Sequence, residues 1–198
     1  MYLDSRDTVV ISDPHAHADK LRLLQHIYGD VRKIINGDLM DGENTRDAFE
    51  VVGEFAMLLG TGNHEWVSGA VMQQPKGFVR DYYLDRWRHN DKRFISYERG
   101  TLSSYGVDPR LPNEAAADAL RNAMDSVGHL ALLNSAELYF ETDEYIVVHA
   151  GLSTTPWMVQ RKELDTYRQM VANRDYSAAP EQVFDTSDAH NKTHKHST

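Results

Sequence analysis

Four short stretches of the chain carry side chains that could hold a divalent cation or move a proton. Asp13-Pro14-His15 sets a carboxylate and an imidazole two residues apart, on the same side of the chain. That donor pair suits a hard or borderline divalent cation, though a proline turn with a solvated histidine would use the same residues. Gly37-Asp38-Leu39-Met40-Asp41 carries two carboxylates three residues apart. Asp38 could bridge two metals while Asp41 orients an imidazole, or Asp41 could cap a helix. Gly62-Asn63-His64-Glu65 offers an amide oxygen beside an imidazole, behind a small residue that lets the backbone turn sharply. Gly-Asn is also an ordinary turn. His149 follows Ile146-Val147-Val148 and precedes Ala150-Gly151, placed either as a ligand or as a satisfied, half-buried histidine. Each stretch alone admits the plainer reading. Their joint occurrence, in this order, points to one shared site.

The elements that must position them follow from periodicity. Thr8 to Ser12 is a continuous apolar run suited to a strand buried on both faces, and it stops at Asp13-Pro14. A helix is predicted from Asp19 to Tyr28, a second strand from Val31 to Asn36, and a second helix from Thr45 to Phe55. A third strand runs through Phe55-Ala56-Met57-Leu58-Leu59 into Gly62-Asn63. Asp13 to Asp38 is 25 residues, and Asp38 to Asn63 is again 25. That spacing fits two successive βαβ crossovers of about 30 residues each. Parallel strands in such a sheet deliver their C-terminal ends to one edge, so Asp13, His15, Asp38, Asp41, Asn63 and His64 should converge there. Further on, Val79 to Asn90 reads as helical, Gly100 to Gly106 as a loop or short strand, and Glu114 to Val127 as a helix. Ala136 to Phe140 and Tyr145 to Val148 read as strands around a turn, and the second leads into His149. Thr155 to Ala172 has helical period, Gln182-Val183-Phe184 suits a short strand, and from Asp185 the chain turns polar. With no internal repeat or linker, the expectation is one domain over 1–184 and a polar, His-rich tail over 185–198.

Composition narrows the classes. Hydrophobic content of 41% with 26% charged residues is that of a soluble globular protein. The apolar runs are of strand length, which argues against a membrane span, and the first residues lack the pattern of a signal peptide. Without cysteine there are no disulfides or thiolate metal sites, which fits a reducing, cytoplasmic setting. A net charge of −9 argues against a broad nucleic-acid surface and is compatible with carboxylate ligands for divalent cations.

Asp13-Pro14-His15, Gly37-Asp38-x-x-Asp41, Gly62-Asn63-His64-Glu65 and His149-Ala150-Gly151-Leu152 together resemble the calcineurin-like metallophosphoesterases. The likeness is to the phosphoprotein-phosphatase branch, with its small bacterial and bacteriophage members and the symmetrical diadenosine tetraphosphatases. Thr101 to Gly106 and the run from His129 to His149 add to it, and the likeness spans about Val9 to Leu152. It implies an α/β fold, a β-sandwich flanked by helices with the site at the C-terminal ends of the strands. It also implies two divalent ions, Mn first with Fe or Zn as alternatives. Asp13, His15 and Asp38 would hold one, and Asp38, Asn63 and His149 the other. A hydroxide bridging ions about 3.5 Å apart would attack phosphorus in line, with His64 protonating the leaving oxygen and Asp41 holding its ring.

Three departures from the family pattern stand out. Ala16 follows His15 where the family has Gly, which brings in His17 as a competing donor. Gly42-Glu43 follows Asp41 where the family has Arg-Gly, removing a bidentate phosphate contact. No Gly-His-Thr motif follows His149; the tail histidines suit a disordered tail, and if one of them serves as an extra ligand His190 is the best placed. Arg161 resembles a second phosphate-binding arginine and equally suits a solvated helix position. The leading expectation is a phosphatase for phosphomonoesters, with a phosphorylated protein or a nucleotide as substrate. The alternatives are a dinucleoside polyphosphate or phosphodiester hydrolase, and a degenerate member that binds metal or phosphate without catalysis.

Overall fold

The computed structural model describes residues 1–4, 7–40, 42–88, 100–149, 152 and 155–173. Asp41, His190, the expected strand Gln182–Phe184 and the tail lie outside the described residues.

Strands β1 (Thr8–Ile11), β2 (Arg32–Ile35) and β3 (Leu58–Leu59) pair in parallel in that order. Val10 lies opposite Ile34, and Ile35 opposite both Ile11 and Leu59. Between them run helices α1 (Ala18–Tyr28) and α2 (Thr45–Glu54), which pack on each other. This is the pair of crossovers that the 25-residue spacing predicts, within a residue or two at most ends. β3 is the exception. Only two residues pair, because Ala56 adopts a left-handed φ of 48° and the chain joins the ladder late.

Gly62-Asn63-His64-Glu65, expected as a strand end, also opens a helix, α3 (Asn63–Gln73). Every residue of it from His64 to Gln73 is buried, and Trp66, Val67, Ala70, Val71 and Met72 belong to the main core with Phe49, Leu39 and Met40. A helix enclosed on all sides shows no amphipathic stripe, so its period is silent in the sequence. α3 packs on α4 (Phe78–Arg88), the helix predicted from Val79. Gly100 to Gly106, read as a loop or short strand, instead holds a helical turn, α5 (Leu102–Ser104). Leu102 and Thr101 are fully buried there, and Thr101 Oγ1 meets Thr45 Oγ1 at 3.1 Å.

α6 (Asn113–Ser126) packs on α3, and α7 (His129–Asn134) leads into β4 (Tyr139–Glu141). β4 pairs antiparallel with β5 (Ile146–Val148), placing Tyr139 opposite Val148. A parallel bridge between Gly60 and Glu137 joins this ribbon to the end of β3. α8 (Trp157–Ala172) then lies across β4. Trp157, Leu164, Tyr167 and Met170 pack on the main core, and polar bonds add to this docking. Trp157 Nε1 donates to Glu141 Oε1 at 2.9 Å, Tyr139 Oη donates to Asp165 Oδ1 at 2.8 Å, and Arg168 donates to Glu137 Oε1 at 2.8 Å. The architecture is therefore mixed α/β with two small sheets. No helix among the described residues is long and apolar enough to cross a membrane.

Candidate metal centre

Three loops leave the strands side by side. After β1 the backbone takes left-handed φ values at Asp13 (52°), His15 (38°) and Ala16 (59°), and after β2 at Asp38 (53°). Such values are strained in residues with a Cβ, by about 1 kcal/mol each, and they persist where surrounding bonds fix them. Here the bonds run between the loops. His15 N donates to Asp38 O and Ala16 N to Leu39 O, both at 2.9 Å. Asn36, at the end of β2, reaches across with Nδ2 to Val148 O at 2.8 Å and ties β5 to the same edge.

His149 follows β5, and its tautomer can be worked out. Its Nδ1 lies 2.8 Å from Asn36 O, a carbonyl that can only accept, so Nδ1 carries the proton. In the neutral ring Nε2 then presents a lone pair. It lies 3.2 Å from Asn63 Oδ1 and 3.5 Å from Asp38 Oδ2. With the ring neutral, three acceptors face one point, which a cation between them would satisfy. Asp13, Asp38 and His149 offer ligand atoms all within 4.8 Å of one another, and so do His15, Asp38 and His64. Asp38 belongs to both groups. His15 Nδ1 is buried with no hydrogen-bond partner, a second lone pair or donor awaiting one. Carboxylate, amide and imidazole donors at these distances fit divalent ions of the Mn, Fe and Zn kind.

His64 opens α3 with its ring edge-on to His15, centroids 5.3 Å apart. Its backbone N donates to Asp38 Oδ1 at 3.2 Å, and its Nε2 lies 3.7 Å from Asp38 Oδ2. Burial lowers the His64 pKa to about 4, against a raising influence from Glu65. Burial, reinforced by the charge of Glu65, raises that of Asp38 to about 7. Both shifts have one cause: the pocket withholds water from groups that would be charged.

Sequence reasoning overlooked two residues of this site. Asn36 sets the His149 tautomer and holds β5, with no mark beyond its place after an apolar strand. Glu65, 2% exposed, accepts bonds from the backbone N–H groups of Asp38 (2.7 Å), Gly62 (2.9 Å) and Met40 (3.1 Å). A glutamate at the third helical position, reaching back to the residue before the helix, is half of a capping box and was legible as such.

Arg161 sits on α8, 3.1 Å from Glu141 Oε2 and 4.0 Å from Asp165 Oδ2. It borders a cavity of about 540 Å³ with Tyr139, Asp165, Arg168 and Gln169. Glu141 pairs with Ile146, so it lies about 10 Å along the ribbon from His149. The guanidinium thus meets carboxylates. His17 is half exposed and faces Asp19 at 3.9 Å. The departures at 16 and 42 are in contact. A Cβ on Gly42 would lie 2.7 Å from the Ala16 Cβ, and one on Gly100 would lie 2.5 Å from the Gly42 carbonyl carbon.

A family model described as calcineurin-like phosphoesterase matches residues 7–192. No curated protein matches the chain significantly. Among solved structures, the cold-active protein-tyrosine phosphatase of the psychrophile Shewanella sp. has a TM-score of 0.53 at 18% identity, over 91% of this chain and 52% of that one. A point mutant of a cold-active protein tyrosine phosphatase gives 0.52 at 18% identity, over 88% and 51%. A further structure of a cold-active protein tyrosine phosphatase gives 0.53 at 18%, over 93% and 53%. At this identity the likeness is one of fold, and the chain spans about half the length of these phosphatases.

Proposed function

The chain belongs to the calcineurin-like phosphoesterase family, and from that we propose a dinuclear, metal-dependent phosphatase that hydrolyses phosphomonoesters of a protein or nucleotide. The observation that carries this reading is the meeting of Asp38 Oδ2, Asn63 Oδ1 and Nε2 of His149 around one point, with Asp38 shared by a second donor group. Asp13, His15 and Asp38 hold one ion in this reading, and Asp38, Asn63 and His149 the other. Bound there, Mn ions, or Fe or Zn in their place, would act as Lewis acids on the phosphoryl group and make water a nucleophile at neutral pH.

The chain's own part is positional and electrostatic. Asp38 and the Asn36-locked His149 fix the donor positions. Burial keeps His64 neutral in the free protein, so its service as acid to the leaving oxygen needs a proton taken up alongside an anionic substrate. Asp41 is assigned to hold that ring. Arg161 would have to leave Glu141 before it met a phosphoryl group, and the reading gives it no step. A sandwich of the two sheets, with the site on the C-terminal strand ends, belongs to the same proposal. It is supported by the loops after β1, β2, β3 and β5 supplying all the donors. The neighbours' printed substrate class guides only the choice of the first protein substrate, a phosphotyrosine peptide.

The test is hydrolysis of p-nitrophenyl phosphate by metal-stripped protein titrated with Mn²⁺, with His64→Ala alongside. Mn²⁺-dependent turnover that the variant loses while still binding metal is the expected result. Saturating metal with no turnover of this ester or the peptide would overturn the reading.

A further inference from the structure

We infer that Glu65 is the positioning residue that sets the metal-ligand geometry before any metal arrives, an inference that rests on the metal-centre reading above. β2 and β3 end their mutual pairing on the same rung, where Ile35 faces Leu59. Beyond it, the amides of Asp38, Met40 and Gly62 are buried and need acceptors. One carboxylate supplies them. Glu65 Oε2 accepts from Asp38 N at 2.7 Å and Gly62 N at 2.9 Å, while Oε1 accepts from Met40 N at 3.1 Å.

Two of these donors flank or belong to ligands. Asp38 is the shared ligand, held at a left-handed φ of 53°, and Gly62 immediately precedes Asn63. The bonding is also reciprocal. Glu65 on α3 accepts from the Asp38 backbone, and Asp38 accepts in return, through Oδ1, from His64 N at 3.2 Å. The turn after β2 and the first turn of α3 are thereby latched at two points. The close approach this demands leaves no room at position 62, where any Cβ would collide with Asp38 Oδ1. Glu65 itself contributes no atom to either ligand group. Its action on the metal runs through the backbone of Asp38 and Gly62.

Glu65→Gln keeps the shape but replaces one acceptor oxygen with a donor NH₂, which must then face an amide N–H. Residues one bond behind a ligand typically change metal affinity 10- to 100-fold when altered. Two measurements decide. In the first, Mn²⁺ binding is followed by titration calorimetry for the wild type, Glu65→Gln and Glu65→Asp, with the circular dichroism of each metal-free protein recorded. A folded Glu65→Gln that binds Mn²⁺ at least about tenfold more weakly is expected; wild-type affinity in that variant would overturn the inference. In the second, amide hydrogen exchange is followed in the metal-free wild type, which needs no variant to fold. The Asp38, Met40 and Gly62 amides should already be protected. Free exchange there, slowed only when Mn²⁺ is added, would show the metal organising the loops and overturn the inference. If the wild type bound no Mn²⁺, the metal reading would fall, while amide exchange would still decide whether Glu65 latches the two turns.

Discussion

Burial and the neighbouring charge of Glu65 hold the Asp38 proton up to about 7, so a cation entering between Asp38, Asn63 and His149 must displace it. The sign follows directly. Metal binding releases a proton below that pH, and apparent Mn²⁺ affinity falls by up to about tenfold per pH unit as the solution is acidified from 7. His64, neutral until about pH 4, adds nothing over most of this range. Calorimetry in buffers of different ionisation enthalpy would count the protons, and a flat profile from pH 7 to 5 would contradict the argument. Asn36→Ala should act on the opposite partner. Without its side chain β5 loses the bond to Val148 O, His149 drifts, and Mn²⁺ binding should weaken by about tenfold in the same assay.

At the scale of elements, α8 is held to β4 by a polar ladder. Glu137, Tyr139 and Glu141 alternate onto one strand face, and Trp157, Arg161, Asp165 and Arg168 share the helix face that meets them. Glu137 and Glu141 are both buried, so their partners matter more than surface cations do. Arg168→Ala leaves Glu137 to the Met1 ammonium 3.8 Å away and should cost about 1 kcal/mol, a figure kept low because the Arg168 guanidinium is half exposed. Arg110→Ala, whose pairing with Asp108 is on the surface, should leave the midpoint of a urea titration unmoved. This ladder was hidden in the sequence. Arg161 looked equally ready for phosphate or for solvent, because spacing along a helix does not say which strand will face it. β1, β2, α1 and α2 were legible because their apolar residues recur with a clear period and Gly or Pro marks their ends. α3 was not, since burial on every side erases the period, and β3 was overestimated because a left-handed Ala56 leaves no trace in composition. The residues proposed as ligands stand out by type and position. What escaped was their support, Asn36 and Glu65, which act through the backbone.

For the molecule as a whole, the loops after β1, β2, β3 and β5 meet at one place, so a ligand there couples the parallel sheet to the antiparallel ribbon. Metal should therefore stabilise the entire chain against unfolding, by about 2.7 kcal/mol when free Mn²⁺ stands at 100 times its dissociation constant. Chelation should remove that gain, and a melting temperature indifferent to both would argue against coupling. The same meeting of loops has a historical side. Ala16, Gly42 and Gly100 come from three distant parts of the chain and touch almost backbone to backbone. A side chain added at 42 collides with the Ala16 methyl, whereas Ala16→Gly both opens that space and relaxes a left-handed φ of 59°. The two changes are thus not interchangeable in time. Gly42→Ala should destabilise alone and destabilise less after Ala16→Gly, with a coupling of about 0.5–3 kcal/mol in a double-mutant cycle. Room for a side chain at 42 therefore depends on which residue stands at 16.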